Sequence, residues 1–380
     1  MERIYLDYAA TTPLEPAAIE AMLPFLRTSF HNPSSLYEGA REARRAVDAA
    51  RDRIAGVLSC HPAELIFTSS GTESANLAVI GSLIAARDSG RKKVLLGATE
   101  HHAVLNLTEW ISRLGFEPRI CDPRRIVEEI DEQAFLASVM HANNETGEIY
   151  DFARIGSMCR HHGVLYHCDA VQSFGILPID LTTAPIDLLT LSGHKCYGPK
   201  GVGVLYVRAG VRLAPLITGG GQERELRSGT ENVAAIVGLG AAIESTYRDA
   251  SRASRIQAAR DEFEKRLFGG CGEEGLPRPI PTLGEGVARL PQHCHVRFPG
   301  ADAQSMLINL DSFGVDAGSG AACSSGSVEP SHVLTAMGFS ASEAKECLRF
   351  TFGKDTSPEA PVEAAKRVVR AYSAVLCPRK

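Results

Sequence analysis

The stretch that decides the fold is Leu188-Leu189-Thr190-Leu191-Ser192-Gly193-His194-Lys195, continued by Cys196-Tyr197-Gly198-Pro199-Lys200-Gly201. Residues 188–191 form an apolar, β-prone run of the kind buried on both faces of a sheet. The run ends in small and polar residues, so Lys195 falls where an α/β sheet delivers side chains into the cleft at its carboxyl edge. A desolvated lysine there can form a Schiff base with an aldehyde cofactor. By itself this is weak, because most lysines are simply solvated.

Similar runs recur at 65–68, 94–96, 135–140 and 164–168, separated by helical periodicity over 41–58, 73–87, 103–113 and 153–161. Strand–helix alternation predicts an α/β fold, a mostly parallel sheet flanked by helices. The run 201–207 follows closely enough to form an antiparallel edge. After about residue 250 the character changes. A helix over 252–267 leads into a Pro/Gly-rich connection, 269–286, then a strand near 295–298 and a helix from Ala303. A Gly/Ser-rich segment, 317–327, a strand near 348–352 and a closing helix from Pro358 follow. The expected division is a large domain, 15–250, and a smaller α+β domain made of 1–14 and 251–380.

Two further strand ends support the lysine. Asp169 closes the 164–168 run, where a carboxylate would keep a pyridine nitrogen protonated, and Gln172 could donate to a ring hydroxyl. The run Phe67-Thr68-Ser69-Ser70-Gly71-Thr72-Glu73 reads strand, small-residue turn, helix start, a place where backbone N–H groups bind phosphate. Taken singly, that turn is better explained as an ordinary helix cap. Lysine, acid and turn at successive strand ends together point to pyridoxal phosphate. A second pole is Gly318-Ser319-Gly320-Ala321-Ala322-Cys323-Ser324-Ser325-Gly326. Its small side chains suit an accessible thiolate at Cys323 better than a core cysteine.

Composition narrows the field. The 380 residues are 44% hydrophobic and 22% charged with a formal net charge of −5, giving no sign of a nucleic-acid surface, and no run is long enough to span a membrane. The ten cysteines contain no C-x-x-C pair, which argues against a disulfide framework or a structural zinc site and for a reduced, cytoplasmic protein. The pairs His101-His102 and His161-His162 and the run His293-Cys294-His295 lack metal-ligand spacing, so no metal is expected.

With these residues in view, the chain resembles cysteine desulfurases of the nitrogen-fixation and iron–sulfur-cluster type, in the class V aminotransferase superfamily of fold-type-I pyridoxal-phosphate enzymes. The likeness runs from Tyr5-Leu6-Asp7-Tyr8-Ala9-Ala10-Thr11-Thr12-Pro13 to about Tyr372. It rests on Met140-His141-Ala142-Asn143-Asn144-Glu145-Thr146-Gly147, on Tyr166–Gln172, on Ser192–Lys195, on Arg227-Ser228-Gly229-Thr230, and on Cys323 through Pro330. The resemblance implies that Lys195 carries the cofactor and then moves protons, and that His101 stacks on its ring and acts in acid–base steps. Asp169 would pair with the pyridinium, while Gln172 and Asn144 bond ring substituents. Gly71, Thr72, Ser192 and His194 would hold the phosphate, with Thr230 from the other subunit of a homodimer. Arg349 would clamp the carboxylate of L-cysteine, with Asn32 nearby. Cys323 would take the sulfur as a persulfide, release L-alanine and pass the sulfur to an acceptor protein. Iron–sulfur clusters, thiolated tRNA, sulfur cofactors and sulfur-modified DNA are all open as destinations.

The sequence departs from that pattern in three places. Tyr37 stands where histidine is frequent, the stretch 117–139 is short, and the chain ends soon after its last helix, which lowers the expectation of a scaffold partner docked by a tail. Selenocysteine lyase or another class V enzyme would use the same scaffold without needing Cys323. A non-catalytic adaptor would be expected to have lost some of these residues.

Overall fold

The computed structural model describes residues 2–319 and 329–377. The chain divides into two compact units. One contains 12–141 and 150–249; the other contains 2–11, Ala142–Ile149 and the described residues from Ala250 onward. The segment Ala142–Ile149 lies inside the 15–250 span expected for the large domain, yet it belongs to the second unit. Its carbonyls and amides pair there: Ile149 N–H donates to Ala288 O and Leu290 N–H to Gly147 O.

In chain order the strands are β1 (Ile4–Tyr5), β2 (Leu65–Thr68), β3 (Lys93–Gly97), β4 (Glu117–Cys121), β5 (Ala134–Ser138), β6 (Leu165–Asp169), β7 (Leu188–Ser192) and β8 (Gly203–Val207). These are followed by β9 (Ile280–Pro281), β10 (His293–Arg297), β11 (Val315–Asp316) and β12 (Cys347–Thr351). The first unit holds a seven-stranded sheet in the order β2-β8-β7-β6-β5-β3-β4. Only β8 runs antiparallel to its neighbours, so the carboxyl ends of β2, β3, β5, β6 and β7 share one edge.

Alternate residues of each central strand enter different cores. Phe67, Leu95, Leu189 and Val204 pack with Val47, Ile54, Leu58, Ile236 and Leu239 on one face. Ile66, Val94, Leu96, Leu188 and Leu205 pack with Leu77, Val79 and Ile111 on the other. Burial on both faces is why these strands are apolar without alternation. The edge strand β4, Glu-Pro-Arg-Ile-Cys, is largely exposed and lacks that signature.

The second unit contains β1 paired with β11, and a three-stranded antiparallel sheet β12-β10-β9. The helix expected to end near 267 continues to Glu273. One of its late glycines is a packing position: Leu267 and Cys271 are buried, and a side chain at Gly270 would meet Val369 of the closing helix Ala360–Leu376, whereas Gly269 and Gly272 face open space. Close helix approach therefore outweighs the poor helix propensity of glycine. No described helix is long and apolar enough to cross a membrane.

Candidate active site

Lys195 ends a single 3-10 turn, Gly193–Lys195, directly after β7. Cys196 and Gly198 N–H groups both donate to Gly193 O, folding the chain back under the lysine. Thr12 fastens the same turn: its N–H and hydroxyl donate to His194 O at 3.0 Å each, and its Oγ1 accepts from Tyr197 N–H at 2.8 Å. Tyr197 sits at φ +62°, a left-handed conformation for a bulky residue that persists only when neighbours enforce it.

Asp169 ends β6, the strand beside β7, and is 8% exposed. Oδ1 accepts from Val171 N–H at 2.9 Å. Burial pushes its carboxyl up to about 6, while the Val171 amide and the Lys195 cation pull it back. Behind it, His167 links Ser138 Oγ (2.8 Å) and Thr190 Oγ1 (2.9 Å), and burial holds it neutral, down to about 3.

The helix Gly71–Ala85 begins three residues after β2, with Ser70 Oγ accepting from Glu73 N–H. A Cβ at Gly71 would lie 3.1 Å from Val171 Cγ2 and 3.2 Å from Ser192 Cβ. Three strand ends therefore converge at one glycine, which brings the helix start, Ser192 and the turn after Asp169 close together. Glu73 also accepts from Arg227 Nε at 2.8 Å, tying the Arg227–Thr230 stretch to this helix.

His101 caps the short helix His102–Leu105 and accepts from Ala103 N–H through Nδ1, so its proton resides on Nε2. His194 is held down to about 4, by burial first and by the Lys195 and Lys200 cations second. Gln172 is half-buried in the turn after Asp169, whereas Thr72 and Thr230 are exposed. Asn32 is exposed as well, its Oδ1 accepting from Ser34 N–H.

Arg349 belongs to the second unit, on β12, and is 4% exposed. Its Nη2 meets Asp7 Oδ1 and its Nη1 meets the carbonyl of Asn144, each at 2.7 Å. Its Nε is buried and has no partner among the described residues. A buried guanidinium whose Nε–H has no partner among the described residues suits a carboxylate ligand. Two main-chain bonds join Arg349 to Gly318, where a Cβ would come within 3.0 Å of Nη2 and 3.1 Å of Asp7 Oδ1. Cys323 lies outside the described residues. The nine described cysteines are free thiols, and among the described residues no cluster could hold a metal ion.

Sequence reasoning passed over Asp7 and Glu100. Asp7 carries no local signal, since its partner is far along the chain. Glu100 is wholly buried, accepts from Met140 N–H, and is held well above the usual carboxylate range by burial and by Asp169. A glutamate between Thr99 and His101, three residues past the end of β3, was the only available hint.

The residues of the first unit fit pyridoxal phosphate. Asp169 is a buried carboxyl of the kind that can pair with a protonated ring nitrogen, and the helix start cradled at Gly71 lies beside it. Residues 4–360 match the family described as aminotransferase class-V. The chain belongs to this family of pyridoxal-phosphate enzymes. Within it the relatives are cysteine desulfurases, and this chain groups with them. A putative cysteine desulfurase IscS 1 of Bacillus subtilis is 41% identical over 97% of this chain and 98% of its own length. Among solved structures, a NifS-like protein superposes with a TM-score of 0.87 at 31% identity, covering 97% of this chain and 98% of that one. SspA in complex with cysteine gives a TM-score of 0.80 at 34% identity, covering 93% and 100%.

Proposed function

We propose that this protein is a cysteine desulfurase that converts L-cysteine to L-alanine and hands the sulfur, as a Cys323 persulfide, to an acceptor protein. The observation that carries this reading is the pairing of Lys195 with the buried Asp169 at the ends of adjacent strands. Pyridoxal phosphate, when bound, supplies the electron sink that lets the substrate's Cα proton leave and weakens its Cβ–S bond.

In this reading Asp169 holds the ring nitrogen protonated, with Gln172 and Asn144 as partners of ring substituents. Gly71, Thr72, Ser192 and His194 receive the phosphate, joined by Thr230 of a second copy in a homodimer. Lys195 anchors the cofactor and afterwards moves the proton at Cα. The single proton of His101 on Nε2 fits a ring that packs on the cofactor and shuttles protons. Arg349 holds the substrate carboxylate, helped by Asn32, and an Nε without a partner among the described residues supports that role. The Cys323 thiolate attacks the substrate sulfur. An S–S bond forms as Cβ–S breaks, the electron pair goes to carbon, and protonation there yields L-alanine. We assign the cofactor to the first unit and the sulfur-accepting cysteine to the second. The free cysteines support a cytoplasmic setting.

Cys323→Ser tests the reading. The variant is expected to keep the cofactor absorbance and the exchange of the L-alanine Cα hydrogen with solvent, and to lose alanine formation from L-cysteine. Undiminished alanine and sulfide release would refute it.

A further inference from the structure

Behind Arg349 lies a group of buried side chains that the reaction scheme does not use. His293 and His295 stand two residues apart on β10, on one face of the strand. His295 is directly paired with Arg349 across the sheet. Both imidazoles are buried, at 0% and 3% exposure. His293 Nε2 lies 3.4 Å from the carbonyl of Asn144, the same oxygen that accepts from Arg349 Nη1 at 2.7 Å. A carbonyl can only accept, so the His293 proton is on Nε2, and its Nδ1 is buried without a partner among the described residues.

The turn bearing Asn144 is built on this ring. Gly147 has φ +79°, and a Cβ there would lie 2.5 Å from the Cβ of His293. The turn is also closed by its own bonds: Asn143 Oδ1 accepts from the Glu145 and Thr146 amides at 2.9 Å each. The position of the Asn144 carbonyl therefore depends on what occupies the space under Gly147. Arg349 is held at three points: Asp7 on one nitrogen, Asn144 on another, and the Gly318 bridge on its backbone. Asn144 is the one of these whose own support is a side chain from the neighbouring strand.

We propose that His293 is a positioning residue for Arg349: as a neutral Nε2–H donor it shares the Asn144 carbonyl with the guanidinium and fixes the 142–149 turn, so that the unspent Nε stays aimed for the substrate carboxylate. Neutrality matters, because a second cation beside Arg349 in a buried site would loosen the arginine's own contacts. Burial first, and the Arg349 charge second, hold the ring in that form. The inference rests on the reading of Arg349 as the carboxylate clamp.

The test uses the cofactor-loaded enzyme with His293→Gln, which keeps an N–H donor of similar reach, and His293→Met, which fills the space without one. KM and kcat are measured for L-cysteine, alongside the spectrally titrated Kd of L-alanine, which has the carboxylate but no thiol, and that of cysteamine, which has no carboxylate. His293→Met is expected to raise the L-cysteine KM and the L-alanine Kd about 5–10-fold, as for loss of one hydrogen bond in a charged network, with kcat within about twofold. Cysteamine binding should not move, and His293→Gln should restore both values to within about threefold. A structural role alone would lower stability without separating the carboxylate ligands from cysteamine. The proposal is overturned if His293→Met leaves the L-alanine Kd unchanged or weakens cysteamine equally. Should His293→Met fail to fold, a His293→Gln enzyme with L-alanine affinity lost more than about tenfold overturns it, and retained affinity supports it. Arg349→Lys separates the two levels: if that variant binds L-alanine normally, the clamp reading itself falls; if it binds weakly while both His293 variants bind normally, only the positioning role falls.

Discussion

Asp169→Asn in the cofactor-free protein isolates what the fold spends to keep the carboxylate that we propose pairs with the cofactor. Burial lifts the Asp169 carboxyl from 3.8 to about 6. That difference of roughly two units corresponds to about 3 kcal/mol at about 1.4 kcal/mol per unit, borne by the folded state whenever the acid is ionised. Because the folded-state value is raised, the folded chain binds more protons than the unfolded chain between about pH 4 and pH 6. Stability therefore falls as pH rises through that window and stays low above it. Asparagine removes the charge and retains an oxygen for the Val171 amide. Cofactor-free Asp169→Asn should be more stable than the parent near pH 7, by about 1–3 kcal/mol, with the gap closing toward pH 4. With cofactor the order should reverse, since an amide does not hold a pyridinium. Urea unfolding of both forms between about pH 4 and pH 8 measures this. A cofactor-free variant no more stable than the parent near pH 7, or a gap independent of pH, would refute the argument.

Three further outcomes are expected. Glu225→Gly should stabilise the protein by about 1 kcal/mol in thermal unfolding, because Glu223, Arg224 and Glu225 all lie in the left-handed region and Glu225 is exposed. Arg51→Met should destabilise it by about 3–5 kcal/mol, since the buried Glu223 carboxylate loses the two guanidinium bonds at 3.0 and 2.6 Å. Gly318→Ala should raise the KM for L-cysteine several-fold with kcat little changed, as the added methyl pushes on both Arg349 Nη2 and Asp7 Oδ1; steady-state kinetics would reveal it.

The parts of the fold legible in the sequence are those whose physics is local. Strands buried on both faces, such as β2 and β7, stand out as short apolar runs between turn residues, and Lys195, Asp169 and the Gly71 turn fall at their ends. The exposed edge strand β4 has no such run, and the helix Val233–Arg248 is so evenly apolar that no amphipathic period marks it. Glycines in the helix Arg252–Glu273 suggest a loop until its packing against Val369 is known. Contacts between distant residues are silent in the same way. Asp7 and Arg349 are separated by almost the whole chain, and nothing near either residue announces the pair. The assignment of Ala142–Ile149 to the second unit depends on bonds to residues 288 and 290, which lie far downstream.

The second unit's composition also sets an order of events in synthesis. Its first strand, Ile4–Tyr5, pairs in parallel with Val315–Asp316. At translation rates of about 5–20 residues per second, the N-terminal strand waits roughly 15–60 seconds after it is made for its partner to emerge. The first unit can close its sheet once Val207 has emerged and is complete at residue 249, so it is the natural early product. During that interval Ile4, Tyr5 and Leu6 are unpaired β-prone residues of a nascent chain. A ribosome stalled within this window should therefore display a protease-resistant sheet preceded by a cleavable segment over residues 2–11.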